Sequence, residues 1–294
     1  MLRGHRARAP LTVARRARRE IWRHLVIYAG LAPFVVVAVF PVYWITITAF
    51  KEDADLYRMD QIPLWFHLPP TLKHFRLLFT HSHFPVWFVN SVLLAICLVV
   101  ITLVTAVPAA YALARLRLPG AGNLGIAMFM TYLVPPIILF LPLARVVGAL
   151  GLFDSWWALV VVYPTFTIPF CTWILMGFFK TLPREIEEAA WLDGCGLVGG
   201  VVRVVLPLTG HGVAIAAIFT FTLAMQEFLY AVVYVAPRDQ MTVTVGIAMT
   251  LIRGDIYYWG ALMAAALLVG LPGAILYNMF LDHFIRGLTA TGAN

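Results

Sequence analysis

Few residues in this 294-residue chain have the types and spacing that chemistry needs. The densest set is Lys180-Thr181-Leu182-Pro183-Arg184-Glu185-Ile186-Glu187-Glu188-Ala189-Ala190-Trp191-Leu192-Asp193-Gly194. A second is Glu227, an acid beside Gln226 within an otherwise apolar stretch. A charge at the centre of a membrane helix costs about 3 kcal/mol on insertion scales, so such a group has a purpose. It either lines a path or anchors a neighbouring helix by hydrogen bonding. The histidines show no HExxH or comparable spacing, and His81 and His83 are only an x-spaced pair. Cys97, Cys171 and Cys195 form no CxxC and suggest no disulfide. A phosphate-binding loop of the form G-x-x-x-x-G-K-[S/T] does not occur. The sequence therefore assigns no catalytic residue and no metal ligand.

The elements that must position these groups follow from composition. Hydrophobic residues make up 62% and charged residues 12%, with mean hydropathy +0.88. Soluble domains carry roughly 25% charge, so a soluble globular reading fails. Stretches free of Asp, Glu, Lys and Arg run over 25–50, 77–114, 118–144, 155–179, 204–226 and 256–281. Each is long enough for the about 20 residues that cross a bilayer. The second is too long to span entirely, and its crossing part is placed at 87–113. The fifth reaches Tyr234 if Glu227 is tolerated. Continuous apolar runs imply helices rather than the alternating strands of a barrel. The expectation is an all-α polytopic membrane protein with six transmembrane helices.

Charge orients it. The net charge is +7, and residues 1–24 hold eight arginines and Glu20, which already gives +7. With this tail in the cytoplasm, inside segments carry 14 Lys and Arg and outside segments 7. The positive-inside rule then puts both termini in the cytoplasm. The imbalance belongs to membrane lipid, not to nucleic acid. The first apolar run exceeds a signal-peptide core, so it reads as an uncleaved anchor. The expected organisation is a basic cytoplasmic tail at 1–24, a six-helix domain at 25–286 with a cytoplasmic loop at about 180–209, and a cytoplasmic tail at 287–294.

In that loop Pro183 suits a first helical turn, and Glu185, Glu187 and Glu188 suit the positive end of a helix dipole. Gly194 suits the helix stop. Ile186, Ala189, Ala190 and Asp193 share one face by their spacing. A short amphipathic helix with small residues on one face reads as a docking element. An interfacial helix on lipid is the alternative, and its acidic start disfavours it on an anionic leaflet.

Glu188-Ala189-Ala190, three residues, Gly194, nine residues, Val204, one residue, then Leu206-Pro207 resembles the EAA loop of ABC importer permeases, with Val204 in place of Ile. Asn90-Ser91, the run Ala110 to Arg115, Gly151-Leu152-Phe153-Asp154, Trp259-Gly260 and Arg286-Gly287-Leu288-Thr289-Ala290 resemble the carbohydrate branch, the MalG-like group of binding-protein-dependent permeases. Where that family often has Trp-Asn-Glu-Phe, this chain has Met225-Gln226-Glu227-Phe228.

The resemblance implies a MetI-like permease fold in the bacterial cytoplasmic membrane. It implies a subunit that forms half of a sugar translocation path, of oligosaccharide or disaccharide type. The implied partners are a sister permease, two cytoplasmic ATPase subunits that hold ATP and Mg, and an extracytoplasmic sugar-binding protein. This chain itself would bind no cofactor. Coupling to the ATPase would fall to Glu188, Ala189, Ala190, Asp193, Gly194, Leu206 and Pro207. Glu227, Gln226, Tyr163 and Tyr230 are candidates for the path. Arg238, Asp239, Arg253 and Asp255 are candidates for contact with the binding protein. A secondary transporter that works without ATP is the alternative; it usually shows internal repeats and discontinuous helices with intramembrane ion ligands. The sequence shows neither clearly. A membrane enzyme would need two or more acids or histidines at membrane depth, and only Glu227 lies there.

Overall fold

The computed structural model describes residues 10–58, 63–116, 118–254 and 256–291. Its helices are, in order, α1 (Pro10–Ala49), α2 (Asp53–Leu56), α3 (Lys73–Thr80), α4 (Phe84–Arg115), α5 (Ala121–Tyr132), α6 (Pro136–Ala149), α7 (Trp157–Val162) and α8 (Pro164–Thr181). Then come α9 (Arg184–Leu192), α10 (Leu197–Gly200), a π-helical turn (Val201–Val205), α11 (Leu206–Leu208), α12 (Gly210–Gln226), α13 (Leu229–Tyr234), α14 (Val243–Leu251) and α15 (Trp259–Thr291). A two-stranded antiparallel hairpin, β1 (Ile252–Arg253) and β2 (Ile256–Tyr257), pairs Ile252 with Tyr257 and lies between α14 and α15.

Four stretches are continuous, apolar and long enough to cross a membrane: Glu20–Ala49, Phe84–Arg115, Trp157–Thr181 and Trp259–Phe280. Two further candidate crossings differ from the sequence expectation, because each is a bent pair. Ala121–Tyr132 and Pro136–Ala149 meet at 92°, and Leu197–Leu208 and Gly210–Gln226 meet at 81°. Proline is the physical reason in both. Pro135 and Pro136 lack an N–H, and Pro135 is extended (ψ 131°), so the helix stops and restarts with Pro136 in its first turn. Pro207 follows a π-helical turn, and Thr209 then leaves helical geometry before α12 begins. Discontinuous helices are therefore present, contrary to the reading of the sequence. Within the basic tail α1 begins at Pro10; residues 1–9 lie outside the described residues. Toward the C-terminus α15 continues to Thr291, and residues 292–294 lie outside.

Two apolar cores stack along the bundle. One lies at the end away from α9, where Trp87, Leu94 and Leu98 of α4 meet Leu159 of α7, Tyr163, Phe221 of α12, Tyr230 of α13 and Ala264 of α15. The other lies at the α9 end, where Tyr111 of α4 packs with Cys171, Leu175 and Phe179 of α8 and with Val205 and Ala216. Thr102 and Thr167 join α4 to α8 between them through a buried hydroxyl pair at 2.7 Å. The outward surface stays apolar, as in a membrane solvent: Val36, Val37 and Leu141 are exposed.

Candidate functional site

At one end of the bundle, α8 passes into α9 through a two-residue elbow. Leu182 and Pro183 are both extended (ψ 135° and 138°), because the residue before proline avoids the helical region. Glu185 and Glu187 fill the first turn of α9. Its C-terminus closes with a Schellman pair: the Cys195 N–H donates to the Ala190 carbonyl at 3.0 Å and the Gly194 N–H to that of Trp191 at 3.1 Å. Gly194 has φ +83°, which glycine adopts without strain.

The helix has two unlike faces. Ala190 and Glu187 are buried, whereas Glu188, Ala189, Trp191, Asp193 and Leu192 are exposed, Leu192 at 89%. The single face inferred from spacing is thus split, with Ile186, Ala189 and Asp193 outward and Ala190 inward. The buried face is fastened to α4. Arg115 Nε donates to Glu187 Oε1 at 2.5 Å, and the Tyr111 hydroxyl donates to Glu187 Oε2 at 3.1 Å. Arg115 also donates to the carbonyls of Leu182 (3.0 Å) and Pro183 (3.4 Å). Sequence reading missed Tyr111, Arg115 and Glu187 as a set. The available signal was Glu187 three residues before Ala190, which puts both on the inward side. Leu206 and Pro207 stand beyond the π-helical turn, away from α9 in sequence, with Pro207 exposed and Leu206 half-buried.

A second group forms where the break between α5 and α6 meets the interruption between α12 and α13. Glu227 is extended (ψ 134°) between α12 and α13. Its carboxylate accepts the N–H groups of Tyr230 (3.0 Å) and Ala231 (3.2 Å), the unpaired donors at the start of α13. The Tyr163 hydroxyl donates to the same carboxylate at 2.5 Å. The Tyr230 hydroxyl donates to the Pro136 carbonyl at 2.5 Å, and that of Tyr234 to the Phe140 carbonyl at 2.8 Å, which ties α13 to the second half of the other broken span. Of the four path candidates, three therefore form one hydrogen-bonded knot. Tyr163 is fully buried with its hydroxyl engaged by Glu227. Gln226 is exposed and sits where two cavities meet. One, about 640 Å³, is lined by Val134, Pro135, Glu227 and Tyr230 among others. The second, about 540 Å³, is lined by Phe170, Phe219 and Tyr277, and by Thr222, whose hydroxyl has no partner.

At the opposite end from α9, the head of α4 holds the segment before α14. Trp87 Nε1 donates to the Arg238 carbonyl at 2.6 Å, Asn90 Nδ2 to those of Asp239 (2.7 Å) and Met241 (3.1 Å), and the Val243 N–H to Ser91 Oγ at 2.8 Å. The side chains of Arg238 and Asp239 are left exposed. Arg253 is exposed on the hairpin, about one turn from Thr250, whose carbonyl it bonds. Asp255 lies outside the described residues. Beside this end, Asp55 is buried with Lys51. It accepts the His67 N–H (3.1 Å) and faces its Nδ1 (3.0 Å). Burial pushes the Asp55 carboxyl up, but the His67 hydrogen bonds and the Lys51 ammonium at 4.0 Å outweigh it and hold the group below the usual carboxylate range.

Comparison with known proteins agrees with this architecture. Residues 106–290 match the family described as binding-protein-dependent transport system inner membrane component. The chain is 36% identical to the sulfoquinovosyl glycerol transport system permease protein SmoH of Agrobacterium fabrum, over 86% of this chain and 88% of that one. It is 28% identical to the trehalose/maltose transport system permease protein MalG of Thermococcus litoralis, over 93% and 98%. A crystal structure of a bacterial ABC transporter that imports the acidic polysaccharide alginate contains a chain of similar fold. The TM-score is 0.76 at 18% identity, with 91% of this chain and 98% of that chain covered. This chain belongs to the binding-protein-dependent transport system inner membrane component family, as a multi-pass transport subunit and not an enzyme.

Proposed function

We propose that this chain is half of the translocation path of an ATP-driven importer for an oligosaccharide or disaccharide. The observation that carries it is α9, a short helix with one face fastened to the bundle and the other left bare. The bare face presents Glu188, Ala189, Trp191 and Leu192, a small-residue and apolar surface of the kind that enters a partner's groove. In this reading α9 is cytoplasmic and docks on a separate ATPase that holds ATP and Mg, and Glu188 and Asp193 frame the contact. A sister permease completes the path around Gln226. An extracytoplasmic sugar-binding protein delivers to the opposite end, near Arg238, Asp239, Arg253 and Asp255. Relatives named for sulfoquinovosyl glycerol, diacetylchitobiose and trehalose or maltose support a sugar-like cargo.

The broken spans are also a feature of secondary transporters, which place an ion ligand at the break. Here the Glu227 carboxylate, at the interruption between α12 and α13, already accepts three hydrogen bonds from the protein, which favours a fastening over an ion ligand. The test is reconstitution of the complete complex with its ATPase. Leu192→Glu should abolish ATPase binding and transport while the chain still inserts. Uptake that continues without ATP, or wild-type ATPase affinity in that variant, refutes the reading.

A further inference from the structure

The docking face explains how a motor could hold this subunit, but not how its motion would leave the loop. Between the two lies the Leu182-Pro183 elbow, an extended joint that by itself would let α9 swing against α8. One guanidinium spans that joint. Arg115 stands on the last residue of α4. Three of its nitrogens serve three acceptors: Glu187 on α9, and the Leu182 and Pro183 carbonyls on the elbow. Its side chain and that of Glu187 are each 6% exposed. A planar fork with several donors fixes geometry in a way that a lysine ammonium cannot. The Tyr111 hydroxyl, one helical turn earlier on α4, satisfies the other Glu187 oxygen. A buried, hydrogen-bonded pair of this kind defines one arrangement more than it adds stability, since replacing such pairs with apolar residues is often neutral.

We infer that Arg115 and Glu187 form a rigid strut that makes α9 and α4 move as one body, so that displacement of the docking helix is delivered to α4 rather than absorbed at the elbow. Arg115 is then a positioning residue for coupling and takes no part in docking. Its route matters because α4 runs the length of the bundle. At its far end Trp87, Asn90 and Ser91 grip the backbone of 238–243. A stroke at α9 thus has a continuous helix leading to the opposite mouth. The inference rests on the docking reading above.

The test separates the two. In the reconstituted complex, Arg115→Lys and Glu187→Gln should bind the ATPase with wild-type Kd. The sugar moved per ATP hydrolysed should fall about tenfold, within the range of ordinary coupling between sites. Loss of ATPase binding by the wild-type chain would refute docking itself. Wild-type binding with an unchanged sugar-to-ATP ratio in both variants would refute the strut, and so would variants whose only defect is weakened ATPase binding. A second measurement does not depend on those variants folding. Spin labels placed at the exposed positions Val104 on α4 and Glu185 on α9, which lies outside the docking face, should keep one distance in the nucleotide-free and ATP-bound complex. A change of several ångströms between those states would overturn the proposal.

Discussion

The Tyr163 hydroxyl at the α7–α8 junction donates to the Glu227 carboxylate between α12 and α13, 2.5 Å away, while the same carboxylate caps α13. This acid therefore fastens two spans while it also lines the cavity of about 640 Å³. Its charge is met by the start of a helix and a phenol, which lowers the penalty of placing it among apolar neighbours.

This assigns different outcomes to different substitutions. Glu227→Gln keeps one acceptor and should cost about 1 kcal/mol; Glu227→Ala, which uncaps α13, should cost about 2 kcal/mol. Tyr163→Phe should cost about 1 kcal/mol or slightly more. Thermal unfolding of the detergent-solubilised complex measures all three, and uptake by Glu227→Gln should persist. Lost uptake at unchanged Tm would instead make the carboxylate a working group of the path.

Gly194 fails differently from a crowded glycine. No heavy atom lies within 4 Å of a Cβ built there, so only its φ of +83° forbids side chains. Left-handed geometry costs a β-branched residue more than asparagine, by roughly 1–2 kcal/mol. Gly194→Asn should therefore retain ATPase association, and Gly194→Val should weaken it by fraying the last turn of α9. A pull-down with the ATPase at graded concentration gives the order; equal loss in both variants would mean that space, not backbone, matters at this position.

How much of this was legible in advance depends on range. The apolar runs, the acidic start of α9 and its glycine stop are local patterns, and the helix ends where Gly194 indicated. The breaks were harder to read. Pro135 and Pro136 stand in a run whose composition is otherwise continuous, and proline inside α4 at Pro108 or inside α8 at Pro169 leaves those helices intact. Whether a proline kinks or severs a span depends on what holds the two halves, and here tyrosine hydroxyls from α13, 94 residues away, hold the second half by its Pro136 and Phe140 carbonyls. Arg115 and Glu187 are separated by 72 residues, a distance that no spacing rule bridges.

Acid should loosen the outer loop before the bundle. The Asp55 carboxyl lies below its ordinary value of about 3.9, so its contribution is fully present above that pH and is lost as pH falls through the lower, folded value. Lys51 and His67 face it directly. Hydrogen exchange of the 63–67 backbone should therefore rise below about pH 3.9 in the wild type. Asp55→Asn should show that protection already reduced at neutral pH and little further change on acidification. A wild-type profile that is flat down to the point of global unfolding would contradict this account.

Gly246 gives the most direct test of how the far end is held. A Cβ there would lie 2.1 Å from the Trp87 ring, which is itself buried, so neither side can yield without moving α4 against α14. Displacing that ring breaks its bond to the Arg238 carbonyl and frees the segment that Asn90 and Ser91 also hold. Gly246→Ala should destabilise by about 1–3 kcal/mol, the usual scale of overpacking. It should also speed trypsin cleavage after the exposed Arg238. Trp87→Leu alone should speed cleavage too, through the lost hydrogen bond. The double variant should be less destabilised than the sum of the two, because the smaller side chain makes room for the new methyl. Additive effects in that cycle would show that Gly246 and Trp87 act separately, and that the grip of α4 on 238–243 does not depend on this close approach.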